Sequence, residues 1–260
     1  MDIVVLVKQV PDTWGERALR PDDHTVDREN ANLVFNEMDE HAVEEALRLR
    51  EAAGDGTVTV VCMGPDAATD TIRKTLAMGA DAAVHVCDDA LHGSCAVTTS
   101  AVLAAALGTV SADLVLCGSE ASDARVGAMG SMLGERLRRP VLTDARAVSV
   151  DGTTVRIERQ TDTGYQRVEA AMPAIVSVIE KINEPRYASF KGIMAAKKKP
   201  VTTLALADLG IDPATVGLAG SATEVIDAAP APQREKGQIV TDGGSGGLRV
   251  AEFLATAKIV

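Results

Sequence analysis

The chain has 260 residues, of which 46% are hydrophobic and only 2% aromatic, so a substantial core must be built from Val, Ala, Leu and Ile. This apolar content excludes intrinsic disorder as a class. The formal net charge of −11 argues against a general nucleic-acid-binding protein, which normally carries the opposite sign.

The first predicted elements are a buried strand and a helix. IVVLV, residues 3–7, is a continuous apolar run of the kind that forms a buried strand. After a long polar segment, apolar residues recur at helical spacing over residues 37–53. Asn36 is suited to the N-cap of this helix, and Glu37 and Asp39 favour its positive end.

Strands and helices then alternate along the chain. Further strands are predicted at residues 57–63, 82–86 and 114–117, and further helices at residues 66–78, 96–107 and 124–137. This alternation predicts an α/β fold, a doubly wound and mostly parallel sheet with right-handed crossovers.

The pattern changes after Pro140. Asp151-Gly152 and Thr163-Gly164 interrupt alternating segments, which predicts a β-hairpin extension, and residues 174–179 form another buried strand. Beyond Pro200 the chain is rich in linker-like residues and ends in a small predicted helix. We therefore expect an α/β domain over residues 1–200 and an extended C-terminal arm over residues 201–260, lying on this domain or on a partner.

The cysteines and the N-terminus indicate the compartment. Cysteine occurs at Cys62, Cys87, Cys95 and Cys117 without a C-x-x-C pair, as expected of small buried hydrophobic residues in a reducing compartment. The histidines share no ligand spacing with the cysteines, so no metal site is predicted. The apolar run after Met1 is too short for a signal peptide, and no stretch approaches a membrane span. A cytoplasmic protein without membrane insertion is the simplest expectation.

A ligand site is expected beyond the carboxyl ends of the strands. Residues 6–10, 36–39, 63–64 and 117–127 would converge there. The last segment, CGSEASDARVG, leads from a strand into a helix predicted to begin near Ala124, whose free N–H groups can hold phosphate beside Arg125. Glu120 and Asp123 disfavour an anion unless their side chains point away, so an ordinary strand–helix turn is the alternative. No nucleophile–base pair is recognisable, and no catalytic residue is predicted.

Residues 184–200, EPRYASFKGIMAAKKKP, place two of the few aromatic residues in a basic and irregular segment. Together with VVLVKQVPDTW, HAVEEALRLRE and AATDTIRKTLAMGADAAVH, this segment makes the chain resemble the beta subunits of electron transfer flavoproteins, most closely the actinobacterial type, from end to end. The resemblance implies a sheet of the adenine nucleotide alpha hydrolase-like, Rossmann-like kind, with the C-terminal arm packed on a partner subunit.

The resemblance also implies a function without bond-making catalysis by this chain. Members form a heterodimer with an alpha subunit that holds most of the FAD, while the beta subunit binds a structural AMP. They accept electrons from flavoprotein dehydrogenases, such as the acyl-CoA dehydrogenases of fatty acid oxidation, and pass them to a membrane quinone oxidoreductase. Two alternatives stay open: a second FAD in place of AMP, as in electron-bifurcating relatives, and an adenine-nucleotide sensor like the universal stress proteins.

The AMP contacts implied by the resemblance fall on the segments chosen above. They are Leu6, Asn36, Glu37, Met38, Asp39, Met63, Gly118, Ser119, Glu120, Ala121, Ser122, Asp123, Ala124, Arg125, Val126, Gly127 and Ser131. Many members carry Lys-Gln where this chain has Ser119-Glu120. The phosphate is therefore expected to depend on backbone N–H groups, Arg125 and Ser131.

Two further surfaces follow from the resemblance. Thr13 and Trp14 are expected near the flavin held by the alpha subunit, where members often carry tyrosine. A recognition loop over residues 184–199 is expected to dock on dehydrogenases, with Phe190 in the position of the usual leucine anchor. Its docking residues are Tyr187, Phe190, Ile193, Met194, Lys197, Lys198 and Lys199.

Overall fold

The computed structural model describes residues 1–15, 17–229, 232, 237 and 239–259. The chain divides into two compact units, Met1–Ile226 and Asp227–Val260. The strands are β1 (Ile3–Val7), β2 (Gln9–Pro11), β3 (Leu33–Phe35), β4 (Val58–Met63), β5 (Ala82–Val86), β6 (Leu114–Gly118), β7 (Val141–Asp151), β8 (Thr154–Thr161), β9 (Gly164–Ala171), β10 (Ala174–Val178) and β11 (Val201–Leu204). The helices are α1 (Glu37–Ala53), α2 (Thr69–Met78), α3 (Ala96–Leu107), α4 (Met129–Leu137), α5 (Phe190–Ala196), α6 (Gly217–Gly220) and α7 (Gly246–Thr256).

The first unit is built on a nine-stranded sheet in the order β11-β5-β4-β1-β6-β10-β7-β8-β9. The strands from β11 to β7 run parallel, whereas β8 and β9 extend the sheet as antiparallel hairpins. The chain passes from β1 to β4 and β5 on one side and returns to β6 on the other, so the strand order reverses beside β1. The predicted α/β fold with a mostly parallel sheet is confirmed.

Helices cover both faces of the sheet, and β1 shows how the sequence permits this. Ile3, Val5 and Val7 pack on the layer that contains α1 and α2, while Val4 and Leu6 pack on the layer of α3 and α4. Since a strand turns successive side chains to opposite faces, a strand buried on both faces must be apolar throughout. This explains why continuous apolar runs, rather than alternating ones, marked the central strands.

Helices α1 and α3 have the predicted limits, but the predicted start of α4 at Ala124 is wrong. Helix α4 begins at Met129. Arg125 and Gly127 adopt left-handed backbone conformations, with φ of +50° and +64°, and such residues interrupt a right-handed helix. Residues 119–128 therefore form a longer β6–α4 loop than the sequence suggested.

The last part of the chain contributes to both units. Residues 201–226 belong to the first unit, where β11 pairs with β5. In the second unit, α7 begins after a turn in which the Asp242 carboxylate accepts the N–H groups of Gly244 and Gly246, each at 2.7 Å. Residues 230, 231, 233–236, 238 and 260 of the predicted arm lie outside the described residues, and its packing on a partner stays a prediction. None of the described helices has the length and apolarity to cross a membrane.

Candidate functional site

The carboxyl ends of β1 and β6 meet the first turn of α1 at the point where the strand order reverses. Asn36 precedes α1 and is only 1% exposed. Its side chain makes no capping bond to the helix. Instead its amide nitrogen donates to the carbonyl of Glu120 at 3.1 Å, and its amide oxygen accepts the N–H of Ser122 at 3.1 Å. Asn36 therefore fixes the path of the β6–α4 loop.

Asp39 joins the ends of the two strands. Its buried carboxylate accepts the N–H of Lys8, after β1, at 2.9 Å and the N–H of Gly118, at the end of β6, at 3.2 Å. Burial raises the pKa of Asp39 to about 7, although these hydrogen bonds oppose the shift. A Cβ atom on Gly118 would lie 2.6 Å from the Asp39 carboxylate, so a glycine is required for this close approach.

Asp123 is turned away from solvent and neutralised. Its side chain is 1% exposed, its oxygens lie 2.9 and 3.0 Å from the Lys8 ammonium, and it also accepts from the Arg28 guanidinium. Burial alone would raise the pKa of Asp123, but the charges of Lys8 and Arg28 hold this pKa below its ordinary range. Glu120 lies 3.9 Å from Arg125. Both carboxylates that counted against an anion in this loop thus face cations.

Backbone donors of the loop are available to a ligand. Among the described residues, the N–H groups of Val126, Gly127 and Ser131 donate to no acceptor, whereas that of Ser119 bonds to Val178 at 2.8 Å. Val126 and Gly127 are exposed, and Ser131 lies in the first turn of α4. Free N–H groups at a helix N-terminus and in a left-handed turn form the donor set that binds phosphate. Because α4 begins at Met129, these helix donors lie further along the chain than predicted.

The other predicted AMP residues differ in position. Leu6 is buried in β1, and Met63, partly buried, ends the neighbouring strand β4. In the first turn of α1, Glu37 is exposed and Met38 lies against Gly118. Ala121 and Ala124 lie in the loop, where the carbonyl of Ala121 accepts the N–H of Arg125 at 2.9 Å. The structure thus brings the segments after β1 and β6 together with the start of α1.

Lys8 lies in segment 6–10, which was predicted at this site without a role for Lys8 itself, whereas two arginines were not predicted there. These arginines belong to a segment that we call the strap (residues 12–32, of which all but 16 are described). Arg28 contacts Asp123, and Arg17 donates to the carbonyl of Ser122 at 2.9 Å. Lys8 could have been predicted at the site, since it directly follows a buried strand. The sequence positions of the arginines gave no such indication. Thr13 is exposed, and the Trp14 side chain is 96% exposed.

The predicted recognition loop begins with a stem attached to α1. The guanidinium of Arg186 donates to Glu44 at 2.7 Å and to Glu51 at 2.6 Å. The amide of Asn183 donates to Glu45 and to the carbonyl of His41, each at 3.0 Å. These contacts hold the EPRY stem in one position on α1.

Helix α5 follows the stem and packs on α2. Ser189 caps it by accepting the N–H of Gly192 at 3.0 Å. A Cβ atom on Gly192 would collide with the carbonyl of Ala77, so this glycine permits the close packing. Arg73 of α2 donates to the carbonyl of Ala196 at 2.7 Å, and the far end of α5 is thereby fixed as well.

The outer face of this segment is apolar and open to solvent. Tyr187 is 98% and Phe190 80% exposed, and Ile193 and Met194 are about half exposed. Lys197 and Lys198 are exposed too. Lys199 differs, because its ammonium donates to the carbonyl of Leu76 at 2.9 Å and to that of Ala80, near the end of α2. Burial lowers the pKa of Lys199.

Comparison with known proteins identifies the family of this chain. A family model described as the electron transfer flavoprotein domain matches residues 23–209. The chain is 49% identical over 264 residues to the electron transfer flavoprotein subunit beta of Mycobacterium tuberculosis, covering 100% of this chain and 99% of the relative. It is 36% identical over 271 residues to that of Megasphaera elsdenii, with 100% of both chains covered. Subunit CarD of the caffeyl-CoA reductase-Etf complex of Acetobacterium woodii is 36% identical over 242 residues, or 93% of this chain and 92% of the relative. The chain therefore belongs to the electron transfer flavoprotein family, among its beta subunits.

Proposed function

We propose that this beta subunit pairs with an alpha subunit, binds a structural AMP, and docks flavoprotein dehydrogenases such as acyl-CoA dehydrogenases. Electrons enter an FAD held mainly by the alpha subunit and leave to a membrane quinone oxidoreductase. The flavin supplies the electron-transfer chemistry when bound, and this chain supplies position and recognition. Four free cysteines support a cytoplasmic location.

One observation carries the nucleotide assignment. The β6–α4 loop combines free backbone donors with acidic side chains that are held by cations. Asn36 fixes the start of the loop at Glu120 and Ser122, and a phosphate bound by the N–H groups of Val126, Gly127 and Ser131 would order the remainder of the loop. Arg125 is exposed beside them, and its loose 3.9 Å pairing with Glu120 leaves the guanidinium able to contact a phosphate.

The docking assignment follows from the exposed face of α5. A cluster of exposed large apolar side chains on a soluble protein marks an interaction surface. Phe190 is the most exposed of the three on α5 and supplies the anchor, while Ile193 and Met194 surround it. Lys197 and Lys198 increase the rate of encounter with acidic partners more than the final affinity.

The flavin-facing surface is assigned to the start of the strap. Trp14 presents a flat aromatic ring that is almost fully exposed, and Thr13 lies beside it. Aromatic side chains of this kind gain most from burial at an interface. We therefore place Thr13 and Trp14 at the contact with the alpha subunit, close to its FAD.

Co-expression with the alpha subunit encoded in the same genome tests the proposal. The purified complex should be a yellow heterodimer that releases one FAD and one AMP on denaturation, measured by absorbance and mass spectrometry. Two flavins per heterodimer would instead support the electron-bifurcating alternative. A colourless homodimer would support the nucleotide sensor, and a flavin-containing heterodimer without adenylate would overturn the AMP assignment.

A further inference from the structure

We propose that Arg17 and Arg28 are positioning residues that connect the β6–α4 loop, where AMP is proposed to bind, to the surface around Trp14. Binding of an adenylate on the β6–α4 loop would then fix the strap, and with it the orientation of Trp14 toward the partner subunit. This inference rests on the proposed AMP site and adds a coupling between that site and the subunit interface.

The first and last residues of the strap lie side by side. Strands β2 and β3 pair as a hairpin, and the N–H of Asp12 donates to the carbonyl of Asn32 at 2.8 Å. Between these residues the strap folds on itself, since the N–H of Arg20 bonds to the carbonyl of Thr25 at 2.8 Å. It therefore behaves as a folded lobe whose position depends on its contacts with the rest of the unit.

The far end of the strap is held by the turn before α3 and by the segment after α6. The Asp23 carboxylate lies 2.7 Å from the Nε2 atom of His92, and the Nδ1 atom of His24 lies 2.9 Å from the carbonyl of Val225. At the other end, the Asp12 carboxylate accepts the N–H of Trp14 at 3.0 Å, and the residues that follow Trp14 are placed by contacts outside the strap.

Arg17 and Arg28 place that end on the β6–α4 loop. Both backbone groups of Ser122 are held, because its N–H donates to Asn36 and its carbonyl accepts from Arg17, which follows Trp14 by three residues. The next residue, Asp123, accepts from Arg28. A ligand that orders the loop therefore orders the two acceptors that hold the strap.

Such coupling is reciprocal, and this gives a quantitative expectation. If AMP orders the strap, removing the strap contacts must weaken AMP binding by the same factor. Arg17→Gln and Arg28→Gln should each weaken binding of AMP by about fivefold or more. Lys8 still neutralises Asp123 in the Arg28→Gln protein, so its fold is retained.

Trp14 is the single tryptophan of the chain, so its fluorescence reports on the strap alone. In the full-length wild-type chain, saturating AMP should reduce quenching of this fluorescence by acrylamide. In the Arg17→Gln and Arg28→Gln proteins, AMP at saturating concentration should leave the quenching unchanged. A loss of affinity alone would not produce that result, because saturation compensates for it.

Arg20→Gln is the matched control. Arg20 lies on the same strap but pairs with Asp22, Asp23 and Glu29, so the variant should retain the effect of AMP on Trp14. Calorimetry with AMP separates the two proposals. Absence of AMP from the purified heterodimer and from the wild-type chain overturns both. AMP in the heterodimer without binding to the wild-type chain, AMP binding without a change at Trp14, or the same change in all variants overturns the coupling alone.

Discussion

Asp39 holds two strand ends together with a carboxyl group whose pKa burial has raised. In solvent this pKa is near 3.8, and in the folded protein it is about 7. Between these values the folded chain binds more protons at this group than the unfolded chain does. The contribution of Asp39 to stability therefore decreases as the pH rises from about 4 to about 7.

This linkage predicts a difference between two pH profiles. The free energy of unfolding, measured by urea denaturation at several pH values in this window, should fall less steeply with rising pH in Asp39→Asn than in the wild-type chain. Asp162→Asn, in an exposed turn, is the control and should show the same dependence of the free energy of unfolding on pH as the wild-type chain. Parallel profiles for wild type and Asp39→Asn would show that Asp39 ionises at an ordinary pH in the folded chain.

The side chain of Asn36 supports the β6–α4 loop through two hydrogen bonds in a buried position. Asn36→Ala should lower the free energy of unfolding by about 2 kcal/mol, since it leaves a carbonyl and an N–H without partners. It should also reduce the AMP retained by the purified heterodimer. Asn32→Ala is the control, because Asn32 is exposed and its side chain donates to Asp12. Equal stability and AMP content in both variants would contradict this role.

At the scale of elements, Arg186 attaches the predicted recognition loop, residues 184–199, to α1. Arg186→Ala should destabilise the chain by about 3 kcal/mol, because it leaves the carboxylate of Glu44, 8% exposed, without its cation. Arg156→Ala removes an arginine with a similar number of partners, Asp151 and Glu169, from the exposed hairpin. It should leave the free energy of unfolding almost unchanged, because its ion pairs lie in solvent. Chemical denaturation of the pair measures the difference, and equal values would contradict it.

Helix α5 presents Phe190 outward, so its loss should affect docking without affecting folding. Phe190→Ala should weaken binding of the dehydrogenase by about 2 kcal/mol. The KM of the dehydrogenase for the electron transfer flavoprotein should therefore rise roughly thirtyfold. FAD content and the melting temperature should not change. Tyr165→Ala removes another exposed aromatic ring, on β9, and should leave the KM unaltered. A normal KM for Phe190→Ala would remove Phe190 from the docking surface.

The elements also show where sequence patterns succeed. Central strands and helices α1 and α3 were predicted well, because two-sided burial and amphipathic spacing are local properties of the sequence. The start of α4 was not predicted correctly, since Ala124, Arg125 and Ala128 are compatible with a helix. The left-handed conformations of Arg125 and Gly127 arise in the folded loop, which Asn36 and Lys8 hold from other elements.

At the scale of the whole molecule, the candidate site depends on contacts between distant parts of the chain. The convergence of strand ends followed from the predicted sheet, which is why segments 36–39 and 118–127 could be chosen in advance. The partners of Asp123 could not, because Arg28 comes from a polar segment without periodicity. Long-range pairing of single charges leaves no trace in local patterns.

The division of the chain gives a last prediction. Met1–Ile226 contains the whole nine-stranded sheet, so a chain ending at residue 226 should fold with an unchanged melting temperature. In the second unit, α7 exposes Leu248, Val250 and Phe253, and these side chains suit a partner surface. The shortened chain should therefore bind the alpha subunit more weakly in size-exclusion chromatography. Unchanged binding would assign the interface to the first unit alone.

Helix α5 is fastened through the peptide backbone at its far end and through Gly192 on its inner side, while its outer side chains take no part in the attachment. Substitutions at Phe190, Ile193 and Met194 therefore change the proposed docking surface and leave the attachment of α5 to α2 in place. If the proposed docking role holds, a lineage under natural selection could acquire new partner dehydrogenases by exchanging a few surface residues, with the β6–α4 loop inherited unchanged.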